Sequence, residues 1–105
     1  MADLTKDADK IICCIYKEYL EKRKSGSSKS DAKEFNAGFY QNIKSIADWN
    51  SDDISDTLRE LKNAGFLKMY ITGDFSLNNE AIIYMENRFK NGLTELTDFI
   101  SKFIP

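Results

Sequence analysis

The sequence contains no histidine at all. That absence removes the commonest general base, the usual proton shuttle and the commonest metal ligand together. A Ser-His-Asp triad, a Cys-His dyad and a histidine-bearing zinc site are excluded. Cysteine is almost as scarce: there are two, Cys13 and Cys14, and they are neighbours. A ring between adjacent cysteines is strained, and on a helix their side chains diverge by about 100°. They are read as free thiols, which points to a reducing compartment and a cytoplasmic protein. Two thiols without histidine are also too few for a tetrahedral structural zinc site. No apolar run reaches 18 residues, so no transmembrane helix is expected. The first ten residues carry three aspartates and no apolar stretch, unlike a signal peptide. The five glycines stand singly at 26, 38, 65, 73 and 92, and no phosphate-binding glycine loop can be drawn through them. The chain shows no internal repeat. No catalytic residue, cofactor or metal is expected, and an enzyme is disfavoured.

What is present is the composition of one globular domain of 105 residues, 42% apolar and 30% charged. Lys and Arg number 15 against 17 Asp and Glu. Split at Asn50, the first part holds nine positive and eight negative charges, the second six and nine. The acidity therefore concentrates in the C-terminal half.

Apolar spacing predicts the elements. From about 5 to 24, Ala8, Ile11, Ile12, Ile15, Tyr16, Tyr19 and Leu20 recur at helical intervals, with aspartates at the start and Lys22, Arg23 and Lys24 at the end. Thr5 is placed to cap this helix, and Cys14 falls at the edge of its apolar stripe. Residues 25–31 hold no apolar side chain and read as a flexible loop. Residues 32–47 read as a second helical region through Phe35, Phe39, Ile43, Ile46 and Ala47, with Gly38 as a possible break. Asn50 and Ser51 start a third helix, 51–64, with Ile54, Leu58 and Leu61 inward and Gly65 ending it. Residues 66–77 read as a hairpin around Thr72, Gly73 and Asp74. A last helix is expected over 79–104.

This order resembles a winged helix-turn-helix domain, most closely over Ile43 to Glu86. The run Leu58-x-x-Leu61-x-x-x-Gly65-Phe66-Leu67 is similar to the family pattern in which the recognition helix passes into the wing. Leu77-Asn78-Asn79-Glu80-Ala81 resembles the lead-in to a trailing helix, with Ala81 where the family usually has glycine. The resemblance extends to small PadR-like regulators and YjcQ-like bacterial or prophage proteins. It implies a mainly α fold with a small β-hairpin wing and an extended C-terminal helix. It further implies DNA-binding transcription regulation and dimers made through the first and last helices. Winged helices also serve as protein-interaction modules, so a DNA-binding regulator acting as a dimer is the expectation and an interaction module without DNA binding is the alternative.

On the DNA reading, phosphates would be met by Lys22, Arg23, Lys24, Lys29 and Lys44. Bases would be met by Asn50, Ser51, Ser55 and Arg59, and Lys68 would serve from the wing. Against it, the outward face of the third helix holds Asp52, Asp56, Arg59, Glu60 and Asn63, an excess of carboxylates facing the phosphate field. Asp52, Asp53, Asp56 and Glu60 fit a solvated, dipole-matched helix start better than a cation site. The last helix offers Phe89, Leu93, Leu96, Ile100 and Phe103 at alternating intervals of four and three, the seam of a coiled coil. That seam either folds back on the first helix or pairs two copies in a homodimer, and the homodimer is the expectation.

Overall fold

The computed structural model describes residues 3–102. The first helix, α1, runs Lys6–Lys24. Thr5 caps it, its hydroxyl oxygen accepting from the Ala8 N–H at 3.2 Å. Asp7 and Asp9 lie in the first turn and Lys22, Arg23 and Lys24 in the last, each matched to its end of the helix dipole. The apolar spacing predicts one stripe, but burial goes further. Every residue from Ile11 to Tyr16 is withdrawn from water, both cysteines included. Six consecutive positions cover the whole circumference of a helix, so α1 needs neighbours on every side.

The chain supplies them from both directions. After Gly26, a four-residue helix α2, Lys29–Ala32, interrupts the stretch expected to be a flexible loop. Ser28 caps it by accepting from the Asp31 N–H at 3.1 Å, and fully buried Ala32 holds it against α1. The expected second helix over 32–47 is not formed. In its place come the strand β1, Glu34–Phe35, a 3₁₀ turn at Phe39–Asn42 and a series of turns up to Asn50. The reason lies in Phe75. Phe35 stacks on it with centroids 5.3 Å apart, and Phe39 meets it edge-on at 5.0 Å. A strand and a tight turn bring both rings onto Phe75 and give Glu34 and Phe35 a sheet partner. The four-residue spacing of Phe35 and Phe39 thus serves a different backbone from the one it suggests.

Helix α3, Ser51–Asn63, forms as expected. Asn50 caps it, its side-chain oxygen accepting from Asp52 N–H at 2.8 Å, and Ile54, Leu58 and Leu61 face inward. Its end is a Schellman turn: Phe66 N–H reaches Leu61 O, Gly65 N–H reaches Lys62 O, and Gly65 takes φ +87°. The hairpin follows, with β2 at Leu67–Met69 and β3 at Phe75–Leu77. Strand β3 lies between β1 and β2, antiparallel to both, with Phe75 opposite Phe35 on one side and Met69 on the other.

The expected single helix over 79–104 is two helices. Helix α4 spans Asn79–Arg88 and α5 spans Leu93–Ser101. Gly92 breaks them apart with φ +71°, a conformation that costs a side chain-bearing residue about 1 kcal/mol or more. The break turns α5 back onto α1. Arg88 secures the corner by pairing with the Asp9 carboxylate through both terminal nitrogens, while its guanidinium covers the rings of Phe89 and Phe99. Among the described residues, no helix is long and apolar enough to cross a membrane.

Trimming the centre of α1 tests this packing. Ile15→Ala should cost about 2–4 kcal/mol in urea unfolding, because the void opens where no neighbour can collapse. Ile83→Ala, at a position 57% exposed, should stay within about 0.5 kcal/mol.

Candidate nucleic-acid interface

The residues expected to read DNA start from α3. Its exposed face presents Ser51, Asp52, Asp53, Ser55, Asp56, Arg59, Lys62 and Asn63. Ser51 and Ser55 are free to touch a ligand. The Asn50 side chain is engaged as the helix cap. Arg59 turns back along its own helix and donates to Asp56 at 3.0 Å. That pair is well exposed, so it adds little stability, but it places a carboxylate beside the one arginine of the reading face. Glu60 is withdrawn from the outward face. Its carboxylate accepts from the Thr5 N–H at 3.0 Å and the Thr5 hydroxyl at 2.8 Å, tying α3 to the start of α1.

The hairpin contributes little charge. Lys68 is exposed, with its ammonium 5.7 Å from the Tyr70 ring centre. Asp74 is held by the loop after β1, where its carboxylate accepts from Ala37 N–H at 3.2 Å. The turn starts one residue earlier than a strand running to Ile71 would allow, with Tyr70 N–H bonded to Asp74 O. Ile71 consequently stands fully in solvent.

The expected phosphate cluster divides. Lys22 is structural: its ammonium donates to Glu34 O at 2.7 Å and sits 3.8 Å over the Phe35 ring, fastening β1 to α1. Desolvation there pulls its pKa below the usual lysine value. Arg23 donates to Ser27 O at 3.3 Å and still lines a groove that it shares with Lys29. Lys24 is exposed. Lys44 lies beside Cys14 and Ser45 at a separate depression. No hydrogen bond or ion pair joins Lys44, Arg59 and Lys68 among the described residues.

The seam expected to pair two copies is used within the chain. Leu96 and Ile100 are buried, and α5 packs on α1. Phe89 is buried against Phe99 at 5.3 Å, and Leu93 is half-buried. Phe103 lies outside the described residues.

Both cysteines are buried, free thiols. Burial, with the nearby Asp9 charge, pushes the Cys13 thiol up to about 12. Burial also raises Cys14, against the opposing pull of a 3.4 Å contact with the Ser45 hydroxyl. Both remain protonated thiols at neutral pH. Among the described residues, no three Cys, Asp or Glu side chains converge to hold a metal ion.

Sequence reasoning passed over Ile71, Ile83 and Tyr19 as surface features. The first two fall inside the expected hairpin and last helix; nothing in the local sequence marks Tyr19 as facing a groove. Comparison with known proteins matches no family model, no curated protein and no solved structure.

The Cys13 shift sets an alkaline signature. The unfolded chain releases the thiol proton near 9, whereas the fold holds it to about 12, so this group leaves stability unchanged below 9 and lowers it progressively up to 12. Urea midpoints measured across that range should fall faster for the native chain than for Cys13→Ala.

Proposed function

We propose that this chain is a winged-helix interaction module that binds a protein partner rather than duplex DNA. The helix–hairpin–helix succession of α3, β2, β3 and α4 supports the winged-helix part of the reading. The outward face of α3 carries the rest. It bears Asp52, Asp53 and Asp56 against Arg59 and Lys62, and Arg59 is paired with Asp56. A helix laid in the major groove brings that face between two rows of phosphates, where each carboxylate adds repulsion. The same face suits a basic protein surface, because opposite charge steers two proteins into register.

One observation favours the DNA reading. Lys24 and Lys29 are exposed, and Arg23 stands beside them at the end of α1. If they meet phosphates, the chain would grip a duplex from the end of α1 and not through α3.

Fluorescence anisotropy with a labelled random duplex separates the two. No binding is expected at about 50 mM salt, and reversing Arg23 and Lys24 to glutamate should change nothing. Binding that weakens steeply as salt rises to about 200 mM, and that the reversal abolishes, would contradict the proposal.

A further inference from the structure

A groove of about 300 Å³ runs between the C-terminal end of α1, the short helix α2 and the start of α4. Its chemistry is mixed. Ile82 lines the apolar part, and neighbouring Ile83 remains 57% exposed, one of few large apolar side chains left to solvent. Arg23 and Lys29 supply positive charge along the groove.

Two independent features mark it as a receiving site for a negative group. The first is the start of α4. Asn78 occupies the capping position, yet its amide donates to Gly65 O at 3.1 Å and leaves the first-turn N–H groups of α4 without a side-chain acceptor. Those groups carry the positive end of the helix dipole. Asn79, which lines the groove, also receives the Lys33 ammonium at 3.1 Å, adding another cation to that end. The second is Tyr19. Only 6% of it is exposed, and its ring stacks on Tyr16 with centroids 5.9 Å apart. Its hydroxyl has no hydrogen-bond partner among the described residues, and no buried side-chain oxygen is left without one. The unpaired Tyr19 hydroxyl therefore keeps some access to solvent, and Tyr19 lines the groove together with Arg23, Lys29 and Glu86.

We propose that this groove docks an acidic, apolar segment of a partner protein. The segment's carboxylate is received by Arg23, Lys29, the Tyr19 hydroxyl and the start of α4, and its adjacent apolar side chain covers Ile83. The proposal rests on the reading of the chain as a protein-binding module and adds the site and the partner's chemistry. A peptide fits better than a nucleic acid for two reasons. A phosphodiester backbone offers nothing to cover Ile82 and Ile83. Glu86, on the same groove, can accept an N–H from a peptide backbone, a donor that a phosphodiester backbone lacks.

Titration of the ¹⁵N-labelled chain followed by NMR tests this with four probes. They are a short peptide of adjacent glutamates and leucines, its counterpart with glutamine for glutamate, inorganic phosphate, and a random duplex. The acidic peptide should move resonances between residues 19 and 29 and between 78 and 86. The glutamine peptide should bind about tenfold more weakly. Lys29→Glu and Ile83→Ser change exposed side chains, should leave the urea midpoint in place, and should each weaken the acidic peptide by about tenfold. Tyr19→Phe should weaken it less. Equal binding of the glutamine peptide, shifts centred on α3, a response to phosphate alone, or no response to the peptide would overturn the groove assignment. Salt-sensitive duplex binding at the groove would overturn the protein-module reading with it. Silence towards both duplex and peptide removes only the groove.

Discussion

The middle of α1 holds six consecutive side chains, Ile11 to Tyr16, away from water, and no single neighbour can do that for a helix. The rest of the chain is organised by this requirement. Helices α2, α3, α4 and α5 all pack on α1. The small sheet is fastened to its end through Lys22, which bonds Glu34 and covers Phe35. Thr5 and Glu60 join its start to α3, and Asp9 and Arg88 join it to the corner between α4 and α5. Helix α5 is the last cover, and the positive φ of Gly92 lets the chain fold back to place it.

Such an arrangement decides which side chains remain for work outside the fold. Charges that read as a basic cluster in sequence are partly withdrawn: Lys22 into a strand contact and Arg23 into a turn. The thiols are withdrawn altogether. What remains on α3 is acidic, and what remains around Arg23 and Lys29 is a groove where cations border exposed aliphatic carbon. On the proposed reading, the acidic α3 face is set against the negative field of a duplex, and the groove combines charge with apolar surface as a polypeptide partner does.

Legibility in the sequence followed how locally each element is determined. Helix α3 carries its cap, its inward Ile54, Leu58 and Leu61 and its terminating Gly65 within sixteen residues, and it forms where the pattern places it. Helix α1 and the hairpin are equally local. The region 32–47 was not legible, because its conformation is set by Phe75 some forty residues away and by pairing with β3. The regular seam from Phe89 to Ile100 was visible, but periodicity records only that an apolar face exists and is silent on what covers it. Gly92 was visible too, and its weight as a break came from α1 needing a final neighbour. Of the candidate site, residue identities were legible and their engagement was not. Asn50, Arg59 and Lys22 each have a nearer partner than any ligand.

The central claim is that α5 belongs to the core of its own chain. Urea unfolding of Leu96→Asp examines it most directly, since Leu96 is fully buried between α5 and the rest of the fold. The account predicts a loss of about 3 kcal/mol or more, because a carboxylate would be forced into apolar surroundings. An unchanged unfolding midpoint, with only the sedimenting mass reduced, would mean that the seam joins two copies and would contradict it.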